Sequence, residues 1–536
     1  MIVKGIGASK GIAVGPIRTL VKTDFSVEDG PGSGAESECK RLEEALAQAE
    51  QELSHLYEKA KATGSDSADV FSVHQMMLED PEFTDSIRAN IQAGHNAQWA
   101  VACTRDEMKA VFDAMDDAYM RARGADVMDI SNRLIRILKG EQETALKTGP
   151  CILAAEDLYP SDTVKLDKNA ILGFITRRGS STSHSVILAR AMGIPCIVGL
   201  ENGYDRLPKE GEIWMDGGSG EVAIDPTPEE QAMFSARRDM FLQDKKGLQA
   251  YWGREAITGN GHKVQVCANI GSPQDAEKAL KAGADGVGLF RSEFIYLGRD
   301  SFPSEEEQFE AYKTVLKLLA PRPVVIRTLD LGSDKQADYF QIPREDNPAL
   351  GYRAIRICLK QQDIFRTQLR ALYRASAFGN LSIMFPMISH IEQLRLAKKI
   401  AAEVQDELAK EGISTAKNVP LGMMVETPAA ALLADTFAKE ADFFSIGTND
   451  LTQYTLAADR LNPNVNDLFD SANPAVLKAI AMTAKAAHEN GIWVGICGES
   501  AANTALTSFY MSAGIDELSV SPSLVTEVRR AVIESK

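Results

Sequence analysis

Two rhythms of apolar positions divide the chain. After the Gly/Ser-rich EDGPGSGAE, Leu42, Leu46, Ala49, Leu53 and Leu56 recur at helical spacing, and one stripe of this kind predicts an amphipathic helix. Further helical patterns run through Leu138, among them FSVHQMMLEDPEF and DAYMRARGADVMDISNRLIRIL. Ahead of them, VKGIGASKGIAVGPIRTL alternates glycine with small apolar residues, which predicts strand and turns in a piece too short to fold alone. From Gly149 the rhythm changes to short β-rich runs, CILAAEDL, AILGFIT, IPCIVGL and EIWMDG. Residues 1 to about 225 therefore read as an α/β unit interrupted by a helical insertion. In DPTPEEQAMF, Thr227 and Glu230 form a capping box with Pro228 at the first helical position, and a helix to about Trp252 joins the halves. Beyond it come eight strand-like runs separated by helix-compatible segments: VQVCANI, DGVGLFR, PVVIRTLD, LSIMFPM, LGMMVET, FFSIGTND, WVGICGE and IDELSVS. That count predicts a (β/α)8 barrel of the TIM type, so the fold class is a multidomain α/β protein.

Composition narrows the function classes. A length of 536 residues predicts three or four domains, and 44% hydrophobic residues supply large cores. No apolar run is long enough to span a bilayer, and MIVKGIGASKG lacks a signal-peptide core, which predicts a soluble, cytoplasmic protein without membrane insertion. The 7 cysteines are scattered with no CxxC pair, as in a reducing compartment. A net charge of −17 argues against nucleic acid as a partner. Between Glu36 and Glu143 stand 22 acidic and 12 basic residues; this excess reads either as a solvated helical face or as a docking surface for a small basic protein.

The stretch RRGSSTSHSVILARAMGIPCIVGL holds a single histidine, His184. No Cys, Asp, Glu or second His lies between Thr176 and Cys196, so metal-ligand spacings are missing. From Ser185 the pattern suits a helix with Thr182 or Ser183 as N-cap, ended by Gly193 and Pro195. A helix N-terminus disfavours imidazolium and favours an anion beside the ring. A neutral imidazole there suits acceptance of a phosphoryl group, and the alternative is a capping or core-edge histidine. His74, in the helical VHQMM, is read as core-edge or interface without catalysis.

Barrel chemistry sits at the C-terminal ends of the strands. Those ends carry Arg291, Glu293, Arg327, Asp330, Glu426, Asn449, Asp450 and Cys497. Arginines offer bidentate grips on phosphate, and charge-assisted contacts are worth about 1.5–3 kcal/mol each. Glu426 and Asp450 from neighbouring strands suit Mg²⁺, which takes one or two carboxylates plus substrate phosphate oxygens. A lone cysteine in a strand is more often inert, but a strand-end position makes Cys497 a candidate proton donor.

Over its whole length, and in the family's order, the chain resembles Enzyme I of the bacterial phosphotransferase system, the phosphoenolpyruvate–protein phosphotransferase. The motifs are GIGASKGIAVGP, FSVHQMMLEDPEF, STSHSVILAR, GLFRSEF, VIRTLDLGSDK, NPALGYRAIR, VETPAA, SIGTNDLTQYTLAADR and VGICGES. The resemblance implies His184 as the phosphorylated nucleophile. It implies phosphoenolpyruvate held by Arg291, Arg327 and Arg460, with Asn449 on the phosphoryl group and Arg353 a further pocket residue. Mg²⁺ would be bound by Glu426 and Asp450, and Cys497 would protonate the enolate. It divides the chain into a phosphohistidine α/β domain (1–30 and 144–226), a helical insertion docking the phosphocarrier protein HPr (31–143), a linker helix (227–255) and a phosphoenolpyruvate-binding barrel (256–536), and it implies a homodimer through the barrel. Two departures stand out. Gly179-Ser180-Ser181-Thr182-Ser183-His184 replaces the family's Gly-Gly-Arg-Thr-Ser-His, with arginines earlier at 177 and 178, and the C-terminus VRRAVIESK predicts a missing final helix in the barrel's outer ring. Phosphoenolpyruvate synthase and pyruvate phosphate dikinase share modules but need a further ATP-grasp domain, for which there is no room. A non-catalytic phosphoenolpyruvate-sensing paralogue would lack His184, Cys497 or the metal carboxylates, and all are present.

Overall fold

The computed structural model describes residues 1–20, 25, 27–30, 32–62, 67–113, 118–141, 149–158, 170–179, 184–297, 299, 301–332, 338–340, 342, 345–460, 462 and 464–535. Contacts divide the chain into two compact units, Met1–Asp244 and Lys245–Lys536.

The described residues of the first unit form eight strands: β1 (Ile2–Lys4), β2 (Ile6–Ser9), β3 (Ile12–Thr19), β4 (Cys151–Ala155), β5 (Ile171–Thr176), β6 (Cys196–Val198), β7 (Glu212–Asp216) and β8 (Glu221–Ile224), in the order β1-β8-β7-β3-β4-β5-β6-β2. The opening segment thus contributes three strands. β3, β4, β5 and β6 run parallel, and both faces of that part are covered: Cys151, Leu153 and Ala155 of β4 pack into one apolar cluster, Ile152 and Ala154 into the other. β8 falls in the polar-flanked GEVAI, a run too short to stand out in the sequence.

Between β3 and β4 the described residues form five helices: α1 (Ala35–Ala62), α2 (Ser67–Glu79), α3 (Pro81–Gln92), α4 (Ala97–Asp113) and α5 (Ala118–Leu138). Leu42, Ala49, Leu53 and Leu56 of the predicted stripe are buried and Leu46 is half-buried, packing with Ile87, Ile91, Val101 and Leu134. His74 is buried in this bundle, with Nε2 3.1 Å from Asp126 Oδ1 and Nδ1 3.9 Å from Asp129 Oδ2. The helix α6 (His184–Met192) begins at His184 and is closed by Gly193 at φ 67, while Val186 and Ala189 bury against the sheet. The expected cap at Thr182 or Ser183, the departures at Ser180 and Ser181, and the His184 side chain lie outside the described residues. The helix α7 (Pro228–Leu248) opens on the predicted box: Thr227 N donates to Glu230 Oε2 at 2.9 Å and Glu230 N to Thr227 Oγ1 at 3.2 Å.

In the second unit β9 (Ala256–Ile257) pairs antiparallel with β10 (Lys263–Ile270). With β11 (Val287–Arg291), β12 (Pro323–Arg327), β13 (Asn380–Phe385), β14 (Leu421–Val425), β15 (Phe443–Ile446), β16 (Trp493–Ile496) and β17 (Glu517–Val520), β10 forms a closed parallel barrel, the eight predicted strands in order. Alternation decides the layers: Val325 joins Leu289, Met384, Met424 and Phe443 inside, whereas Val324 and Ile326 face the outer helices. The last strand is followed by a helix, Val525–Glu534, whose Val525, Val528 and Val532 pack into the outer core. Among the described residues no helix is long and apolar enough to cross a membrane.

Candidate active site

Strand ends supply the site. β11 ends on Arg291 and β12 on Arg327; Glu426 follows β14, Cys497 follows β16, and Asn449 and Asp450 open the helix Thr448–Leu456 after β15. Arg353 and Arg460 come from longer excursions. Together with Leu289, Asp330, Met424, Gly447, Gly498 and Glu499, these eight residues surround one cavity of about 300 Å³, at the small end of ligand pockets.

Charges around the cavity alternate in sign. Arg327 Nη2 lies 2.9 Å from Glu293 Oε1 and its Nη1 2.8 Å from Asp330 Oδ2. Asp330 Oδ1 is 2.9 Å from Arg353 Nη2, which is 3.6 Å from Asp450 Oδ2, and Asp450 Oδ1 is 3.2 Å from Arg460 Nη1. Burial works against the charge on Arg327, but Glu293 and Asp330 outweigh it, and the guanidinium is held more firmly protonated than usual. Arg353 is shifted the same way, burial opposing and Asp330 and Asp450 prevailing. The buried Nε atoms of both arginines have no hydrogen-bond partner within the protein, so both retain a donor for a bound anion. Arg291 stands exposed at the rim.

Glu426 is 1% exposed and accepts Met387 N on Oε1 at 2.6 Å. Burial, then the charges of Asp450 and Asp330, raise its carboxyl well above the usual range. A divalent cation would reverse that balance by supplying positive charge at the carboxylates. Asp450 Oδ1 is buried, and its 3.2 Å approach to Arg460 Nη1 lacks hydrogen-bond geometry. Among the described residues no group of three or more His, Cys, Asp and Glu forms an all-protein cage, and a two-carboxylate site completed by phosphate oxygens and water fits this donor set. Asn449 Oδ1 accepts Glu499 N at 2.9 Å, which leaves its NH₂ to donate to a ligand.

Cys497 is 2% exposed, and its thiol donates to Ile446 O at 3.7 Å. Burial raises it to about 11 against the lowering effect of Ser445 and Arg327, so at neutral pH the sulfur carries its proton. None of the seven cysteines is joined in a disulfide. In the first unit, Arg177 is engaged by Glu156 at 2.8 Å and by Asp205, and lies over the Tyr204 ring at 4.8 Å.

Sequence reasoning passed over Tyr454, whose hydroxyl accepts Arg353 Nη1 at 3.4 Å, and the floor residues Leu289 and Met424. Strand alternation could have found the floor; nothing local marks the tyrosine. Gly447 is also required, since a Cβ there would stand 2.9 Å from Glu426 Oε2.

Comparison with known proteins gives three family matches: PEP-utilising enzyme, N-terminal, over residues 4–123; PEP-utilising enzyme, mobile domain, over 147–220; and PEP-utilising enzyme, PEP-binding domain, over 245–536. The chain is 43% identical over 533 residues to a phosphoenolpyruvate-protein phosphotransferase of Bacillus subtilis, covering 99% of this chain and 94% of that one. It is 43% identical over 531 residues to the protein of the same name in Geobacillus stearothermophilus, covering 98% and 92%. A solution structure of Enzyme I (nEIt) is similar at TM-score 0.39 and 29% identity, over 45% of this chain and 99% of that one.

Proposed function

Because the chain belongs to the phosphoenolpyruvate-protein phosphotransferase family, we propose that it moves the phosphoryl group of phosphoenolpyruvate from the barrel cavity to His184, and then to a histidine of HPr. Pyruvate leaves. The activity is a transferase reaction, the opening step of a sugar phosphotransferase system. Arg291, Arg327, Arg353 and Arg460 neutralise the carboxylate and phosphate of the substrate, and the Asn449 amide donates to the phosphoryl oxygens. Mg²⁺, held by Glu426 and Asp450, would add fixed positive charge beside those oxygens. Phosphoryl transfer asks little covalent help of the protein beyond an in-line nucleophile and charge stabilisation.

The bond between phosphorus and the enol oxygen breaks, a bond between phosphorus and a His184 ring nitrogen forms, and the enol oxygen keeps the electron pair. The methylene carbon then takes the proton of the Cys497 thiol, giving pyruvate, and solvent restores the proton to the thiolate. The observation that carries this reading is the convergence on one small cavity of arginines, paired buried carboxylates and a protonated thiol. We assign residues 1–30 and 144–226 to the phosphohistidine domain, the acidic insertion 31–143 to carrier docking, and 227–255 to the linker. The protein is read as cytoplasmic and as a homodimer through the barrel, which light scattering would test.

The deciding experiment is incubation with labelled phosphoenolpyruvate and Mg²⁺, with and without HPr, followed by mass-spectrometric mapping. Acid-labile label on His184 that passes to HPr is expected, and His184→Ala loses it. A protein that binds phosphoenolpyruvate without taking label would be a sensor instead.

A further inference from the structure

Tyr454 lies on the helix Thr448–Leu456, four residues after Asp450 and therefore on the same face. Its hydroxyl donates to Ala349 O, accepts Arg353 Nη1 at 3.4 Å and lies 3.9 Å from Met387 Sδ. One phenol thus touches the excursions that follow β12 and β13 while standing on the helix that follows β15. The excursion after β12 is held in a costly shape. Ala354, next to Arg353, adopts φ 53 and ψ −130, a region that favours glycine and strains alanine, and its N–H bonds to Leu331 O at 2.9 Å. Such a conformation persists only where its surroundings over-determine it. The contacts that do so here are Leu331 with Ala354, Asp330 with Arg353 at 2.9 Å, and Tyr454 with Ala349. Burial pushes the Tyr454 phenol up to about 12, so it remains a neutral donor throughout the working range.

We propose that Tyr454 is a positioning residue for phosphoenolpyruvate: it ties the Arg353 excursion to the helix bearing Asn449 and Asp450, so that the guanidinium and the amide meet the substrate as one preset grip. The proposal rests on the reading of this cavity as the phosphoenolpyruvate site. Tyrosine acts through Arg353 and touches no reacting atom. Without the hydroxyl, the guanidinium and the Ala349 carbonyl lose their shared partner, Arg353 is held by Asp330 and Asp450 alone, and the substrate must supply the rest of its ordering. That cost falls on binding.

The test is a double-mutant cycle of Tyr454→Phe and Arg353→Ala in the full chain, reading KM and kcat for labelling by phosphoenolpyruvate and, separately, transfer of label from the protein to HPr. Tyr454→Phe removes one oxygen and keeps the ring packed; the HPr step, which does not use the cavity, and a thermal melt report that the chain is folded. The expected result is a KM raised about tenfold with kcat little changed and the HPr step untouched, and an added effect below about twofold when Arg353 is already alanine. A parental KM in Tyr454→Phe overturns the proposal, as does an equal penalty in both backgrounds, which would mean that the tyrosine works independently of Arg353. A parental KM in Arg353→Ala would instead overturn the cavity assignment, and with it the tyrosine's role.

Discussion

Glu517 shows how a single side chain can be defined by the space around it. It opens β17 with 3% exposure, its Oε1 has no hydrogen-bond partner, and a Cβ on Gly288 would lie 2.1 Å from that atom. Burial raises its carboxyl from 4.5 to about 7, only partly opposed by Cys267. A raised folded-state value means stability that is fully present below the unfolded pKa and lost as pH rises through the folded one. Between about pH 4.5 and 7 the unfolded chain gives up this proton while the barrel retains it, so the parent loses stability across that window, and above about 7 the carboxylate ionises inside the barrel. Glu517→Gln is expected to melt at a higher temperature than the parent at pH 8, with the difference closing near pH 4.5, as calorimetry across a pH series would read. The Cys497 thiol depends on burial in the same way. Cys497→Ser should cut pyruvate formation by about 10²–10⁴-fold with KM for phosphoenolpyruvate little changed, measured by coupled pyruvate assay. That Cys497 stands at a strand end was legible from GICGES. That its proton is held by exclusion of water was not, because the residues that cover it come from other strands.

At the scale of elements, the barrel strands deliver functional groups because each ends where its polar residue begins. The strand β15 gives way at Gly447 to the helix carrying Asn449 and Asp450, and that glycine leaves room for the neighbouring strand's carboxylate. In Gly447→Ala the new Cβ would stand 2.9 Å from Glu426 Oε2 and 3.0 Å from Met424 Sδ, so the carboxylate must move. The Mg²⁺ concentration needed for half-maximal labelling should rise about tenfold or more, and calorimetric titration with Mn²⁺ would check the same loss apart from turnover. The start of α7 and the stop of α6 were readable because caps are local: Thr227 meets Glu230 three residues on, and Gly193 takes its positive φ whatever lies beyond. β8 and the helix Val525–Glu534 were not, since neither short run carries enough periods to separate it from its flanks.

For the whole molecule, the boundary between the two units falls within α7, with His184 in one unit and the cavity in the other. If phosphoryl groups pass from the cavity to His184 and on to HPr, the units must meet and part in each cycle. A crosslink that fixes one unit to the other should abolish multiple turnover while leaving one of the two half-reactions intact, which labelling by phosphoenolpyruvate and discharge to HPr would resolve separately. The sequence by itself determined the helical insertion, the start of α7, the eight barrel strands and the residues at their ends, because hydrogen-bond periodicity and side-chain alternation repeat within a few residues and a parallel barrel gathers all its strand ends at one rim. Only the tertiary structure decided that Asp330 lies between Arg327 and Arg353, that Tyr454 reaches Ala349, that burial raises the Glu517 carboxyl, and that the Cys497 thiol keeps its proton. Those facts depend on closure of the barrel, which brings distant segments into contact and removes water from between them, and no local pattern encodes either.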